Sequence, residues 1–114
     1  MNSRFRADLA EFLREFVAAH RGLRLGSAFG RPAAYAGRRI FAMVDEDALR
    51  CRLPPDIAMR EVKGRRADRV EPSAGGPRRA TNAWVAYRPA DRAAMARLAP
   101  TLEIAARYVA EQRR

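Results

Sequence analysis

Apolar residues recur at helical spacing where the chain begins and at strand spacing through its middle. Phe5, Leu9, Phe12, Leu13, Phe16 and Val17 share one side of a helix, with Arg6, Glu11, Arg14 and Glu15 opposite. This predicts an amphipathic helix of about four turns, capped by Ser3 or Asn2 and closed by Gly22. Leu23, Leu25, Ser27 and Phe29 then alternate with Arg24, Gly26 and Ala28, a strand pattern broken by Gly30 and Pro32. The chain next turns at Ala36-Gly37 into a strand over Ile40–Val44, and Gly37 is expected at positive φ in a tight hairpin.

Asp45-Glu46-Asp47 reads as a solvated turn, and Ala48–Leu53 as the following strand. Arg50 and Arg52 then share one face, and Leu49, Cys51 and Leu53 the other. A three-residue loop sets Phe41 and Met43 beside Leu49 and Cys51. A loop of two or four residues sets Ile40, Ala42 and Val44 there instead. The first register brings more apolar area to the core and is the expected one. Phe5, Leu9, Phe12, Phe16, Phe41, Leu49, Cys51, Leu98 and Val109 are the expected core.

Pro54-Pro55 stops the sheet, and Pro55 opens a short helix that ends at Gly64. Apolar residues are scarce from Arg65 to Asn82. That stretch reads as a loop turning at Gly75-Gly76-Pro77, with a short edge strand near Arg69–Glu71. Ala83–Tyr87 is the last strand. Asp91–Ala99 and Thr101–Arg113 read as two helices divided by Pro100. Leu102, Ala105, Ala106 and Val109 line one face of the second. The whole, 1–114, reads as a single α+β domain: an antiparallel meander with an N-terminal helix and C-terminal helices packed on it.

Charge changes this picture. Lys and Arg number 23 against 13 acids, a net charge of +10, and Lys63 is the sole lysine. Such an excess points to polyanions, because neutralising phosphates releases counterions. An arginine skew beside abundant alanine also fits GC-rich coding. Arg38, Arg39, Arg50 and Arg52 lie on the central strands or their turn. Arg65, Arg66, Arg69, Arg78 and Arg79 lie in or beside the long loop. If the loop folds back over the sheet edge, these join into one nucleic-acid-binding patch, since the planar guanidinium fits phosphate oxygens. Tyr35, Tyr87 and Trp84 would add stacking if exposed. The alternative is that arginines pave the wet side of a one-sided sheet.

Catalytic signatures are poor. His20 is the only histidine, at the end of the first helix, and reads as a helix-terminal cation or a partly buried ring rather than a catalytic group. Cys51 is the only cysteine, so no internal disulfide forms; between Leu49 and Leu53 it reads as a small buried hydrophobe. Neither zinc spacing nor a phosphate-binding glycine loop occurs, and no metal or cofactor is expected. The N-terminal stretch lacks the continuous apolar run of a signal peptide, and no membrane association is expected. A bacterial-type cytoplasmic location is expected.

The order Phe29-Gly30, Pro32, Gly37–Val44 ("GRRIFAMV"), Leu49–Pro55 ("LRCRLPP"), Trp84 and a C-terminal helix holding Tyr108 resembles the TfoX N-terminal-like and MmcQ/YjbR-like bacterial domains. Their pattern is a "FG" strand, a glycine turn into "G-K-x-F-A", and a strand ending near "L-K-L-P". Gly37, Phe41 and Ala42 match it, Arg38 or Arg39 replaces the first lysine, and Arg52, Leu53 and Pro54 fall on "K-L-P". The resemblance implies the same α+β architecture. TfoX proteins are tied to regulation of competence, and YjbR-like proteins are grouped as candidate DNA-binding domains. The chain ends at Arg114 without the second domain of TfoX, and the family supplies no catalytic residues. The expected function is non-enzymatic, regulatory nucleic-acid binding through arginine–phosphate contacts. A protein-interaction or homodimerisation module is the alternative.

Overall fold

In the computed structural model, which describes residues 5–70 and 84–112, the first amphipathic pattern folds as helix α1 (Ala7–Ala18). It is shorter than its periodicity suggests. Arg6 holds the N-cap position in an extended conformation, and its side chain binds the Asp8 carboxylate and donates to the Pro89 carbonyl at 2.7 Å. The chain therefore leaves the helix before Phe5, which stays 38% exposed and falls outside the core. The expected caps Asn2 and Ser3 lie outside the described residues.

Among the described residues six strands follow, all antiparallel: β1 (Leu23–Ala28), β2 (Arg31–Ala36), β3 (Arg39–Val44), β4 (Leu49–Arg52), β5 (Asp68–Arg69) and β6 (Trp84–Tyr87). Their order across the sheet is β1-β2-β3-β4-β6-β5, so β5 is the expected short edge strand. Helix α2 (Pro55–Lys63) links β4 to β5 and ends at Gly64, as its sequence suggests. The short α3 (Arg92–Ala96) is capped by Asp91, whose carboxylate accepts from the Ala94 amide at 2.9 Å. Helix α4 (Ala99–Ala110) holds Pro100 in its first turn, so this proline opens the helix instead of dividing two. The turn expected at Gly75-Gly76-Pro77, with Ala83 and Arg113, lies outside the described residues.

One core joins the helices to one face of the sheet. Leu9, Leu13 and Phe16 of α1 and Leu102, Ala105 and Val109 of α4 pack with Phe41, Val44, Leu49 and Cys51. Phe12 and Leu98 sit half-buried at its margin. Gly37 has φ +64 in a two-residue hairpin closed by the Ala36–Arg39 pair, as expected. The β3–β4 register differs from expectation. Val44 pairs with Leu49 and Ala42 with Cys51, across a four-residue loop, Asp45–Ala48. Phe41 is nonetheless fully buried. A β-bulge reconciles the two facts: Ala34 pairs with Ala42 and Tyr35 with Ile40, leaving Phe41 as the extra residue on β3. Its side chain turns to the same face as Ala42, while Met43 faces away.

The expected break at Gly30 and Pro32 is a second tight hairpin. Ala28 pairs with Arg31 around Phe29 and Gly30, both at positive φ. Pro32 lies in β2 just before Ala33, the first residue of that strand paired with β3. Phe29 is 89% exposed at φ +55, a left-handed conformation that costs a bulky residue about 1–2 kcal/mol. Asparagine tolerates that conformation and loses little burial here. Phe29→Asn is therefore expected to stabilise the domain by about 1 kcal/mol and raise the thermal midpoint by roughly 3–5 °C. An unchanged midpoint would show that the turn carries no strain.

Candidate nucleic-acid interface

The face of the sheet turned away from the helices carries Tyr35, Met43 and Arg50, all half-buried. Ala33 and Ala86 lie on the same face and are nearly inaccessible, paired with Met43 and Arg50. Long side chains lie flat over these small ones, so their stems pave this face. Arg50 does so within an ion pair. Both Arg50 and Arg31 clamp the Asp45 carboxylate, Arg31 at 2.5 Å. Asp45 is thus the internal counterion of two arginines, and only 13% of its side chain is exposed; the expectation of a fully solvated acidic turn holds for Glu46 and Asp47 alone. Among the described residues no cluster of three or more His, Cys, Asp or Glu could hold a metal ion.

Among the described residues the other candidate arginines do not gather into one patch. Arg52 closes β4 with its guanidinium 5.9 Å from the Tyr108 ring on α4, and it is half-buried. Arg66 is tied to Glu61 at 2.8 Å. Arg65 and Arg69 are exposed at the α2–β5 edge, on the far side of the sheet from β2. Arg78 and Arg79 lie outside the described residues. Nor are the two tyrosine rings open for stacking, and Trp84, half-buried, lies at the other edge of the sheet. Tyr87 is 4% exposed. Tyr35 lies against Gly26, where a Cβ would meet its ring at 3.0 Å, and the Arg24 guanidinium covers it 4.5 Å from the ring centre.

Arg38 and Arg39 have different company. They occupy the β2–β3 hairpin, and the pairings Leu23–Ala36 and Ala36–Arg39 draw the start of β1 alongside. Arg24 sits there on β1, opposite Tyr35. Arg21 precedes the strand and faces Arg107 of α4 across a shallow groove of about 450 Å³ over Leu23 and Ala106. Among the described residues none of Arg21, Arg24, Arg38, Arg39 and Arg107 forms an ion pair. The one acid of the groove, Glu103, is engaged by His20, whose Nε2 lies 3.0 Å from its Oε2. His20 Nδ1 lies 2.8 Å from the Phe16 carbonyl oxygen. Both partners are acceptors, so these contacts favour the doubly protonated, cationic ring. Glu103 and the Phe16 carbonyl accordingly raise the His20 pKa. The sequence reading missed Arg21, Arg24 and Arg107. The signal was the Phe29-Gly30 hairpin, which fixes the β1 register and brings Arg24 beside the Arg38 turn.

Burial pushes the Cys51 thiol up to about 12, so it is inert, as its strand position suggests. No helix among the described residues is long and apolar enough to cross a membrane. No protein-family model, curated protein or solved structure matches the chain.

Proposed function

We propose that this domain is a non-enzymatic binder of nucleic-acid backbone, and that the arginine-rich end of its sheet is the contact surface. One observation carries the reading. Arg21, Arg24, Arg38, Arg39 and Arg107 come from separate segments to the end of the sheet that holds the β2–β3 hairpin, without internal acidic partners among the described residues. Arginines kept only for solubility need not converge, and those of the paved face are neutralised at home. The +10 charge and the resemblance to YjbR-like domains point the same way.

The test is fluorescence anisotropy with labelled single-stranded and duplex oligonucleotides across a salt series. Non-specific binding of about micromolar strength or weaker is expected, falling steeply with salt. Arg38→Ala with Arg39→Ala should make the slope of log K against log salt shallower by roughly 1–2, as one or two phosphate contacts are lost. Arg50→Ala and Arg66→Ala should leave it unchanged. Equal slopes for both sets would refute the surface, and absence of binding at low salt would refute the function. A concentration-dependent dimer without oligonucleotide binding would turn the assignment to homodimerisation.

A further inference from the structure

A second groove, of about 420 Å³, opens at the other edge of the sheet, between α2 and the β5–β6 pair. Every residue that lines it belongs to the described chain. Its floor is apolar: Ala58 and Val85 are each 1% exposed. Met59 and Trp84 also line it; Met59 is 56% exposed, and Trp84 is half-buried. A methionine of this size left open on an amphipathic helix forgoes burial that the core could use. Two cations complete the lining. Lys63 closes α2 and is exposed, and Arg69 pairs with Val85, so its side chain leaves the sheet on the groove side. Neither forms an ion pair among the described residues.

We propose that this groove binds a small planar aromatic anion. The volume lies within the range of about 300–1,000 Å³ typical of small-molecule sites. The Met59 thioether and the Trp84 indole suit a flat ring, through sulfur–aromatic and ring–ring contact. Lys63 and Arg69 supply the charge that would hold a carboxylate or sulfonate at the edge of that ring. The site is separate from the arginine-rich hairpin end, since α2 and β5 lie across the sheet from β1 and β2.

Trp84 is the only tryptophan, so its fluorescence reports on the groove directly. The probe is 8-anilinonaphthalene-1-sulfonate, with the uncharged N-phenyl-1-naphthylamine as its control. Saturable one-to-one quenching of Trp84 is expected with the sulfonate. Met59→Glu should weaken it about tenfold without lowering the melting temperature. Lys63→Glu with Arg69→Glu should weaken the sulfonate about tenfold and leave the neutral probe within roughly twofold. Unsaturable quenching, or sulfonate affinity unmoved by either change, would overturn the assignment. Displacement of the sulfonate by an oligonucleotide would overturn it as well, because the groove would then belong to the polyanion surface. Failure of oligonucleotide binding alone leaves the groove assignment standing.

Discussion

Replacing Phe41 by alanine is expected to cost the domain about 3–5 kcal/mol in denaturant melts. Its ring is fully buried and meets Phe16 of α1 edge-on, with centroids 6.3 Å apart and planes at 61°. It also stands beneath α4, which packs across β2, β3 and β4. Truncation would therefore open a void at the junction of both helices with the sheet. The surrounding structure collapses poorly there, because backbone from β2 and β3 forms the floor. Met43→Ala on the same strand should cost only about 1 kcal/mol, since Met43 is half-buried on the opposite face. Regular alternation sets these two side chains on one face and predicts comparable losses. Similar values for both, or a Phe41→Ala loss under about 1 kcal/mol, would remove the bulge from the fold.

The bulge marks the limit of what alternation reveals. Arg50 and Arg52 against Leu49, Cys51 and Leu53 was legible because β4 is regular, and all three apolar residues are fully buried. The β3 register was not legible, because choosing the larger side chains assumes an unbroken strand. Phe41, Ala42 and Val44 are all buried, a pattern that alternation without an inserted residue cannot produce. Helix lengths failed for a related reason. Periodicity carries α1 back to Phe5, but a tertiary contact from Arg6 to Pro89 ends the helix first.

The interface was legible as a charge excess and not as a place. Sequence proximity groups Arg65 with Arg66 and Arg50 with Arg52. The fold sorts arginines by their partners instead. Asp45 removes Arg50 from the available set, and Glu61 removes Arg66. Strand pairing adds Arg24, and the groove that α4 shares with Leu23 adds Arg107, neither of which is near Arg38 in sequence. Long-range pairing decides both outcomes, and spacing along the chain does not encode it.

Glu61→Ala is expected to destabilise the domain by about 1–3 kcal/mol, and most of that loss should be specific to the buried hydroxyl it serves. Tyr87 is 4% exposed, and its hydroxyl donates to Glu61 Oε1 at 2.7 Å. The other carboxylate oxygen accepts from Arg66 Nε at 2.8 Å. The pair fastens α2 to β6 and pins the turn that leads to β5. Removing the carboxylate leaves the Tyr87 O–H without its acceptor in the core. Burial opposes the Glu61 charge, but hydrogen bonds from Arg66 and Tyr87 outweigh it and hold the carboxyl below its usual range. The sign follows from that direction. A carboxyl whose folded pKa is depressed adds stability above its unfolded value of about 4.3, and loses it as pH falls through the folded value. Glu61→Gln keeps an acceptor for Tyr87 but cannot titrate. Its loss should be smaller than that of Glu61→Ala at neutral pH, and should shrink as pH drops below about 4. Chemical melts of the three proteins from neutral to acid pH read both effects. A glutamine variant as unstable as the alanine one, or a difference from the parent that does not change with pH, would show that this contact does not hold α2 to the sheet.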